Sequence, residues 1–415
     1  MADLFARAFA YNRHQQVKDI GLYPFFRPLT DSEGSRVVIE GKPRIMLGSN
    51  NYLGLSHHPA VVEAAKAAID RFGTGCTGSR MLNGTLELHE QLEAELADFL
   101  GMESVLLWST GFMSNSGTVG TLVGRHDLIF ADKEDHASLI DGFLLSNARL
   151  VRFKHNDMDD LARLLDAHAR EPGARLIAVD GVYSMTGELA PLPRLVALAR
   201  QHGARLLVDE AHGTGTLGPG GRGSVAHFGL TGEVDLLTGT FSKTFASVGG
   251  FLAGPRAVKD YLMHTCRQFM YTASMPPPVV ATVLAALRVL RAHPELVEQT
   301  RANAAFLRAE LTRMGFDCLA GEAAVVPVVI GTAERLLCFN QRIYEEGVFA
   351  NPVLPPAVPK NACLVRTSTM ATNRREDLQE ALDIFEKVGL ELGVIGPDKA
   401  RWDAHWAAIS TALAV

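Results

Sequence analysis

The 415-residue sequence has little of what marks secreted, metal-binding or membrane proteins. It contains five cysteines, which are widely spaced and never arranged as C-x-x-C, so neither a disulfide framework nor a zinc site is expected. No apolar run reaches the roughly 18 residues that span a bilayer, and the N-terminus is polar where a signal peptide would be apolar. These absences predict a cytoplasmic protein with at most peripheral membrane contact.

The sequence also lacks an excess of positive charge. Its formal net charge is -6, so it offers no basic surface for the backbone of a nucleic acid, and nucleic acid is excluded as a partner. Hydrophobic residues make up 47% and charged residues 21%, which is ordinary for a globular protein. A chain of this length exceeds the need of one small core, and we expect a large domain and a smaller one.

Short apolar runs alternate with helical patterns between residues 59 and 254. The runs are VLLW (105–108), DLIFAD (127–132), LIAVDG (176–181), ARLLVDEAH (204–212) and DLLTGTFS (235–242). Such alternation is typical of parallel strands buried under helices on both faces. The sequence therefore predicts an α/β fold with a mainly parallel sheet, in which ligands gather at the carboxyl ends of the strands.

Three segments of the chain differ in pattern. Residues 1–58 are predicted to be an arm that starts with an amphipathic helix and packs on this chain or on a second subunit. The apolar side of that helix would consist of Leu4, Phe5, Phe9 and Tyr11. Residues 59–290 are predicted to form the large, cofactor-binding domain. Residues 291–415 show long helical patterns beside a few apolar runs, which indicates a smaller α+β domain.

The sequence contains matches to two nucleotide-binding motifs, but the surrounding residues exclude a nucleotide site at both. The letters DEAH at 209–212 match a helicase signature, but no G-x-x-x-x-G-K-[ST] phosphate loop exists in the chain. Two overlapping G-x-G-x-x-G matches, at 213–218 and 218–223, run into Pro219 and further glycines instead of opening a helix. A dinucleotide site needs that helix N-terminus for its pyrophosphate, so a loop is the better interpretation.

A lysine and an aspartate follow neighbouring apolar runs. Asp209 ends one run, and Lys243 lies 34 positions later (243 − 209), just after the next run. Pyridoxal phosphate (PLP) requires a lysine amine and an acidic partner that keeps the pyridine nitrogen protonated. With His212 three residues after Asp209, this spacing predicts a PLP site rather than a solvated lysine.

Further residues suit the ring and the phosphate of such a cofactor. His136, after the run DLIFAD, can stack on a planar ring, although a lone histidine there is more often a structural cap. The segment TGFMSN (110–115) opens a predicted helix and offers the backbone N–H groups of Gly111 and Phe112 to a phosphate. Thr240 and Ser242 add hydroxyl donors.

A run of motifs between about residues 45 and 390 resembles one family. The motifs are NNYLGL (50–55), GSRMLNGT (78–85), TGFMSN, DHASLIDG, RFKHND (152–157), DGVYSMTGELAPL (180–192), VDEAHGTG (208–215), GTFSKTFASVGGF (239–251), YTASMPP (271–277) and VRTS. They resemble the α-oxoamine synthases, fold-type I PLP enzymes, and within them most closely the soluble bacterial serine palmitoyltransferases. The resemblance implies a homodimer whose active sites are shared between subunits.

The resemblance also implies roles at the cofactor. Lys243 would be the Schiff-base lysine and move the proton at Cα, Asp209 would pair with the pyridine nitrogen, and His212 would bond the ring hydroxyl. His136 would stack on the ring and serve catalysis and substrate binding. The remaining cofactor contacts would come from Gly111, Phe112, Ser184, Thr240 and Ser242, and from Thr272 toward the phosphate of the other subunit.

The substrates implied by the resemblance are an amino acid and an acyl-CoA thioester. Arg366 falls on the position that binds the amino acid's carboxylate, with Asn51 nearby, and a guanidinium fork suits that planar anion. The motifs RFKHND, GVYSMTGELAPL and CRQFMYTASMPPPVVAT favour L-serine and a long-chain acyl group. YPFFRPL (23–29) adds apolar surface, either for the acyl chain or for dimer packing.

One departure from the pattern keeps a second substrate pair open. The best-known bacterial serine palmitoyltransferases carry an arginine immediately before a Pro-Pro pair, where this sequence has Leu354. Either Arg366 binds the carboxylate alone, or the enzyme is a glycine or alanine C-acyltransferase of the same family. A transaminase and a catalytically silent subunit are further alternatives, the latter disfavoured because such a subunit is expected to lack the lysine.

Overall fold

The computed structural model describes residues 3–32 and 34–397. Its strands are β1 (Leu29–Asp31), β2 (Arg36–Ile39), β3 (Lys42–Met46), β4 (Ser104–Trp108), β5 (Leu128–Asp132), β6 (Arg149–Phe153), β7 (Arg175–Asp180), β8 (Arg205–Asp209), β9 (Leu236–Thr240), β10 (Gly250–Gly254), β11 (Asp317–Cys318), β12 (Val325–Gly331), β13 (Val348–Phe349), β14 (Asn351–Val353) and β15 (Cys363–Ser368).

The helices alternate with these strands. They are α1 (Ala6–Phe9), α2 (Arg13–Asp19), α3 (Pro59–Phe72), α4 (Glu87–Leu100), α5 (Gly111–Leu122), α6 (Ala137–Ser146), α7 (Met158–Ala167), α8 (Leu192–Gln201), α9 (Ser224–His227), α10 (Arg256–Thr265), α11 (Arg267–Met270), α12 (Pro277–Ala292), α13 (Glu295–Arg313), α14 (Ala333–Glu346) and α15 (Arg375–Glu391). Within residues 3–32 and 34–397, no helix is both long and apolar enough to cross a membrane.

The central sheet has the strand order β4-β10-β9-β8-β7-β5-β6. Strands β9, β8, β7, β5 and β6 pair in parallel, and β10 runs antiparallel to both of its neighbours. Every residue of β4 and β5 is buried, as expected for strands covered on both faces. The predicted mainly parallel sheet is confirmed. The sequence reading missed β10, because its glycine-rich stretch GGFLAG resembles a loop more than a strand.

The C-terminal part forms the predicted smaller α+β domain. Strands β11, β12, β15 and β14 make a sheet against which α13 and α14 pack, and α15 packs against these two helices. Its core contains the rings of Phe316, Phe339 and Phe385, whose centroids lie 5.6 to 6.0 Å apart in tilted, edge-to-face contact. Such pairs stabilise beyond the burial of area.

The N-terminal segment is tied to this smaller domain. Strands β1 to β3 form a sheet with β13, and Ile45 and Leu47 belong to the buried core of the C-terminal part. The boundaries at 58 and 290 stay a prediction. Residues 1–2 of the predicted arm and 398–415 of the predicted small domain lie outside the described residues.

The prediction of one amphipathic helix at the N-terminus is wrong. The segment forms two short helices, α1 and α2, which are separated at Ala10 to Asn12. Its predicted apolar side is exposed at Leu4, Phe5, Phe9 and Tyr11. Helices this short are marginal in water without a packing surface, and none of the residues in α1 or α2 is buried.

Candidate active site

A cavity of about 350 Å³ lies at the carboxyl ends of the central strands. This position is where open α/β sheets bind ligands, and the volume suits a small molecule. The cavity is lined by nine residues that the sequence analysis singled out: Gly111, Phe112, His136, Ser184, Asp209, His212, Thr240, Ser242 and Lys243. Thr110, Asn115, Ser138 and Asp180 complete much of the wall.

Lys243 and His212 face each other inside this cavity. Lys243 Nζ lies 2.9 Å from His212 Nε2. Burial lowers the pKa of Lys243 from its ordinary value of 10.5 to about 8, although the charges of Asp209 and Asp180 act in the opposite direction. Burial and the neighbouring positive charges hold the pKa of His212 well below its ordinary value. The imidazole of His212 is therefore neutral beside an amine that releases its proton easily.

Asp209 is oriented at the floor of the cavity by two hydrogen bonds. Asn115 Nδ2 donates to its Oδ2 at 2.6 Å, and the backbone N–H of Ala211 donates to Oδ1 at 2.8 Å. The same Asn115 amide donates to Ser138 Oγ. A carboxylate fixed in this way has one defined direction in which to meet a cationic group.

His136 and Asp180 line the cavity beside Asp209. His136 caps α6, and burial lowers the pKa of its imidazole. Its backbone N–H donates to Asp180 Oδ2 at 3.2 Å. Burial, followed by the nearby charge of Asp209, raises the pKa of Asp180 well above its ordinary value. Burial therefore disfavours the charged forms of both His136 and Asp180.

The other end of the cavity is built by the first turn of α5. Thr110 caps this helix by accepting a hydrogen bond from the N–H of Met113. The N–H groups of Gly111 and Phe112 belong to the first turn, which has no intrahelical acceptors. Across from them, the hydroxyls of Thr240 and Ser242 lie 2.8 Å apart. Two backbone N–H groups and two hydroxyls thus lie together where an anion would be stabilised, although in this structure the Thr240 hydroxyl donates to the Gly249 carbonyl oxygen.

Close packing at this end requires glycine. A Cβ on Gly111 would lie 2.6 Å from Thr240 Cβ, and a Cβ on Gly250 would lie 2.6 Å from Gly111 Cα. Side chains at these positions would force α5 away from the ends of β9 and β10. The glycines therefore bring the helix N-terminus and the Thr240 hydroxyl to one point.

Arg366 lies beside the cavity, on β15, and is almost fully buried. Its Nε donates to the Ser184 carbonyl oxygen at 2.5 Å, and Nη1 donates to Asn50 Oδ1 and Ser368 Oγ. Nη2 donates to the hydroxyl of Tyr52 at 3.4 Å. Four of the five guanidinium N–H groups of Arg366 therefore have partners within the chain.

Besides Arg366, two predicted site residues do not line the cavity in their own chain, Asn51 and Thr272. Asn51 donates from Nδ2 to Ser56 Oγ, and its Oδ1 is buried without a partner in the described part of the chain. Thr272 lines a separate, much smaller cavity near Trp108. Leu354 packs partly against the core of the smaller domain.

The segment YPFFRPL also lies away from Lys243. Phe25 and Phe26 line a different cavity, of about 430 Å³, together with Tyr23, Arg27 and Tyr344. Phe26 is 93% exposed. Within one chain these rings therefore do not extend the cavity that holds Lys243.

Sequence reasoning missed Tyr52, Asn115 and Asp180. Asn115 lies in the quoted motif TGFMSN and Tyr52 in NNYLGL, but neither residue type signals a role by itself. Asp180 ends the run LIAVDG just as Asp209 ends its own run, and this parallel was the one available signal. The register that pairs Asp180 with Asp209 appears only in the folded sheet.

The residues of the cavity fit PLP. A buried amine of lowered pKa faces the centre, an oriented carboxylate lies at one end, and a helix N-terminus with two hydroxyls lies at the other. These are the groups that the aldehyde, the pyridine nitrogen and the phosphate require. A flat ring has room between them beside His136.

Comparison with known proteins also indicates a PLP-dependent enzyme. The aminotransferase class I and II family matches residues 42–385. A serine palmitoyltransferase of Bacteriovorax stolpii is 45% identical over 381 residues, 92% of this chain and 91% of that protein. An 8-amino-7-oxononanoate synthase of Geobacter sulfurreducens is 45% identical over 384 residues, 92% of this chain and 98% of that protein.

A solved structure extends the likeness to the whole fold. The serine palmitoyltransferase of S. paucimobilis, a lysine-to-alanine variant with a bound PLP–myriocin aldimine, has a TM-score of 0.91 and 38% identity. The match covers 95% of this chain and 100% of that one. The chain therefore belongs to the aminotransferase class I and II family, as a PLP-dependent, fold-type I enzyme of the α-oxoamine synthase type.

Proposed function

We propose that this enzyme condenses L-serine with a long-chain acyl-CoA, such as palmitoyl-CoA, to give 3-ketosphinganine, the first step of sphingolipid synthesis. The observation that carries the proposal is the cavity in which Lys243, Asp209 and His212 meet next to Arg366. The likeness to serine palmitoyltransferases over nine tenths of the chain supports the choice of substrates.

Lys243 holds the cofactor covalently and acts as the base. When bound, PLP supplies the electron sink that stabilises negative charge at the Cα of an amino acid. With a pKa of about 8, the amine of Lys243 is unprotonated in roughly a tenth of the molecules at pH 7. An ordinary lysine would be unprotonated in fewer than about one in a thousand, so burial makes this amine a competent base.

Asp209, His212 and His136 set the electronic surroundings. The carboxylate of Asp209, held by Asn115, favours a protonated pyridine nitrogen. His212, neutral and bonded to Tyr52, offers a hydrogen-bonding nitrogen to the ring hydroxyl. His136, whose charged form burial disfavours, would lie against the ring and the amino acid, where an imidazolium would oppose the charge of the pyridinium.

Gly111, Phe112, Thr240 and Ser242 bind the phosphate through N–H and hydroxyl groups. Ser184 completes the cofactor contacts from the wall of the cavity. With the phosphate held at one end and Asp209 at the other, the amine of Lys243 is directed at the centre of the cavity.

Arg366, with Asn51 nearby, binds the carboxylate of serine. In the net reaction the Cα of serine forms a bond with the thioester carbonyl carbon and CoA leaves as its thiol. The carboxyl group of serine departs as carbon dioxide, and Lys243 moves the proton at Cα. The loss of carbon dioxide makes the condensation irreversible.

The homodimer is part of the proposal. Large apolar side chains at Leu82, Leu144, Val248 and Tyr271 are more than half exposed in one chain, and Val248 lines the cavity itself. Burial of such side chains drives association. Thr272, which lies outside the cavity of its own chain, would then reach the phosphate of the partner's site. We place the enzyme in the cytoplasm, since its five cysteines are free thiols.

A second candidate is a glycine or alanine C-acyltransferase. Leu354 carries no charge where serine palmitoyltransferases use a second arginine, and an 8-amino-7-oxononanoate synthase matches over 92% of this chain. With leucine at position 354, Arg366 alone would bind the carboxylate, which suits a smaller amino acid such as glycine or alanine.

Product analysis separates the two candidates. The enzyme, loaded with PLP, is incubated with L-serine, glycine or L-alanine and with acetyl-, pimeloyl- or palmitoyl-CoA, and each product is identified by mass. A 3-ketosphinganine mass from serine and palmitoyl-CoA is the expected outcome. An 8-amino-7-oxononanoate mass, or 2-amino-3-ketobutyrate from glycine and acetyl-CoA, would replace the proposal by the second candidate.

A further inference from the structure

Tyr52 connects His212, in the cavity, with Arg366 beside it. Its side chain is fully buried, and its hydroxyl lies 2.7 Å from His212 Nδ1, the nitrogen opposite to the one that faces Lys243. The same hydroxyl accepts a hydrogen bond from Arg366 Nη2 and lies 3.2 Å from Asn50 Oδ1. Within the described residues, Tyr52 is the side chain that contacts both His212 and Arg366.

The phenol stays a neutral hydroxyl. Burial raises the pKa of Tyr52 above its ordinary value, although the charge of Arg366 opposes that shift. The titratable groups around this part of the site are His212, Lys243, Asp209, Asp180, His136 and Arg366. The hydroxyl donates to Asn50 Oδ1 while it accepts from Arg366 Nη2 and from an N–H at His212 Nδ1, so its three contacts are compatible.

The four hydrogen bonds of Arg366 all go to neutral acceptors. These are the Ser184 carbonyl, the Asn50 amide oxygen and the hydroxyls of Ser368 and Tyr52. In the part of the chain that the structure describes, Arg366 has these hydrogen bonds and no ion pair, although its side chain is almost fully buried. Neutral acceptors fix the guanidinium without cancelling its charge, which remains available to an anionic substrate.

We propose that Tyr52 is a positioning residue for the amino acid's carboxylate: anchored on His212, it holds the Nη2 arm of Arg366 in place with a neutral acceptor. The proposal rests on the proposed function, in which Arg366 binds that carboxylate. Without the hydroxyl, Nη2 loses its acceptor, and the guanidinium plane is held only through Nε and Nη1. Binding of a carboxylate would then weaken, whereas binding of the amine and side chain of the substrate would not.

The test compares substrates with and without the carboxylate. Holoenzymes of the wild type, Tyr52→Phe, Tyr344→Phe and Arg366→Lys are titrated with L-serine and with L-serine methyl ester, and dissociation constants are read from the change in cofactor absorbance. Tyr344→Phe is the matched control, because it also removes a buried hydroxyl that bonds a side chain, Glu40, far from the cavity.

Tyr52→Phe should raise the dissociation constant for L-serine about tenfold to a hundredfold, the value of one hydrogen bond to a charged group. Its constant for the methyl ester should change less than threefold, and Tyr344→Phe should change neither. Equal weakening of serine and ester, or no weakening of either, would overturn the proposal. If Tyr52→Phe does not fold, Asn50→Ala removes another neutral acceptor of Arg366 and should show the same selectivity for the carboxylate.

Arg366→Lys distinguishes this inference from the proposed function. If Arg366→Lys leaves serine binding unchanged, the assignment of the carboxylate site fails. If Arg366→Lys weakens serine binding and Tyr52→Phe does not, only the role of Tyr52 fails.

Discussion

Asp180 and Asp209 occupy paired positions at the ends of the neighbouring parallel strands β7 and β8. Asp209 accepts hydrogen bonds from Asn115 and from the backbone of Ala211. Asp180 is buried beside that carboxylate, and its pKa is raised well above the ordinary value. Two aspartates that are adjacent in the sheet are thus held in different surroundings, and this difference predicts different responses to the same substitution.

Asp209→Asn should lower the rate of proton removal from Cα by a factor of about 10²–10⁴, because the amide no longer stabilises a protonated pyridine nitrogen. The rate is measured by exchange of the Cα hydrogen of L-serine in deuterated water. Asp180→Asn is the matched control, since it makes the same substitution at the paired position of the neighbouring strand, where burial already disfavours the charge, and its effect should be at least tenfold smaller. Equal losses in the two variants would contradict this assignment.

Lys243→Ala should abolish product formation and remove the absorption band of covalently held cofactor, because no other amine lines the cavity among the described residues. The measurement is a visible spectrum of the purified protein beside a product assay. Lys66→Ala removes an exposed lysine outside the cavity and should retain the band. A Lys243→Ala protein with the wild-type spectrum and activity would sink the assignment.

Glu93 is predicted to be a large contributor to the stability of the large domain. It is buried and binds Arg80 at 2.9 Å and Lys259 at 2.7 Å, which ties α4 to α10. Glu93→Ala leaves both cations without their partner and should cost about 3–5 kcal/mol, seen as a fall in the melting temperature. Glu87→Ala, which removes an exposed ion pair with Arg71, should melt within error of the wild type.

His155 should make stability depend on pH. Burial alone would lower the pKa of His155. The hydrogen bond to Asp132 and the surrounding carboxylates outweigh burial and raise this pKa to about 9. A folded-state pKa above the unfolded value of about 6.5 stabilises the fold fully below pH 6.5, and this contribution disappears as the pH rises through 9.

The matching measurement is the melting temperature of the wild type and of His155→Gln between pH 6 and 10. The melting temperature of the wild type should exceed that of the variant most at pH 6, where the difference in the free energy of unfolding is on the order of 1–2 kcal/mol. This difference should shrink toward pH 10. His126→Gln, at an exposed position, should show no such trend. A wild-type advantage that is constant over this range would refute the role of His155.

Much of the fold could be read from the sequence, because it follows from local patterns. The apolar runs that became β4, β5, β7, β8 and β9 are short and alternate with helical patterns, and this length and alternation distinguish them from helices. The prediction of one N-terminal helix was wrong because a local pattern needs a surface to pack against. Its apolar pattern is real, but no surface of the described chain packs against it.

Part of the site could likewise be predicted from the sequence. Lys243, Asp209, His212 and the α5 turn were predictable, because each follows directly on a strand and the carboxyl ends of parallel strands meet. The sequence by itself therefore determined the cofactor and the class of reaction.

Only the tertiary structure decided which neighbours tune those groups. Tyr52 meets His212 across 160 positions of sequence, Asn115 meets Asp209 across 94, and Asn50 meets Arg366 across 316. Burial then lowers the pKa of Lys243, and a set of neutral acceptors leaves the charge of Arg366 free. Such effects depend on distance and solvent exclusion, which a sequence pattern with periods of two or 3.6 residues does not encode.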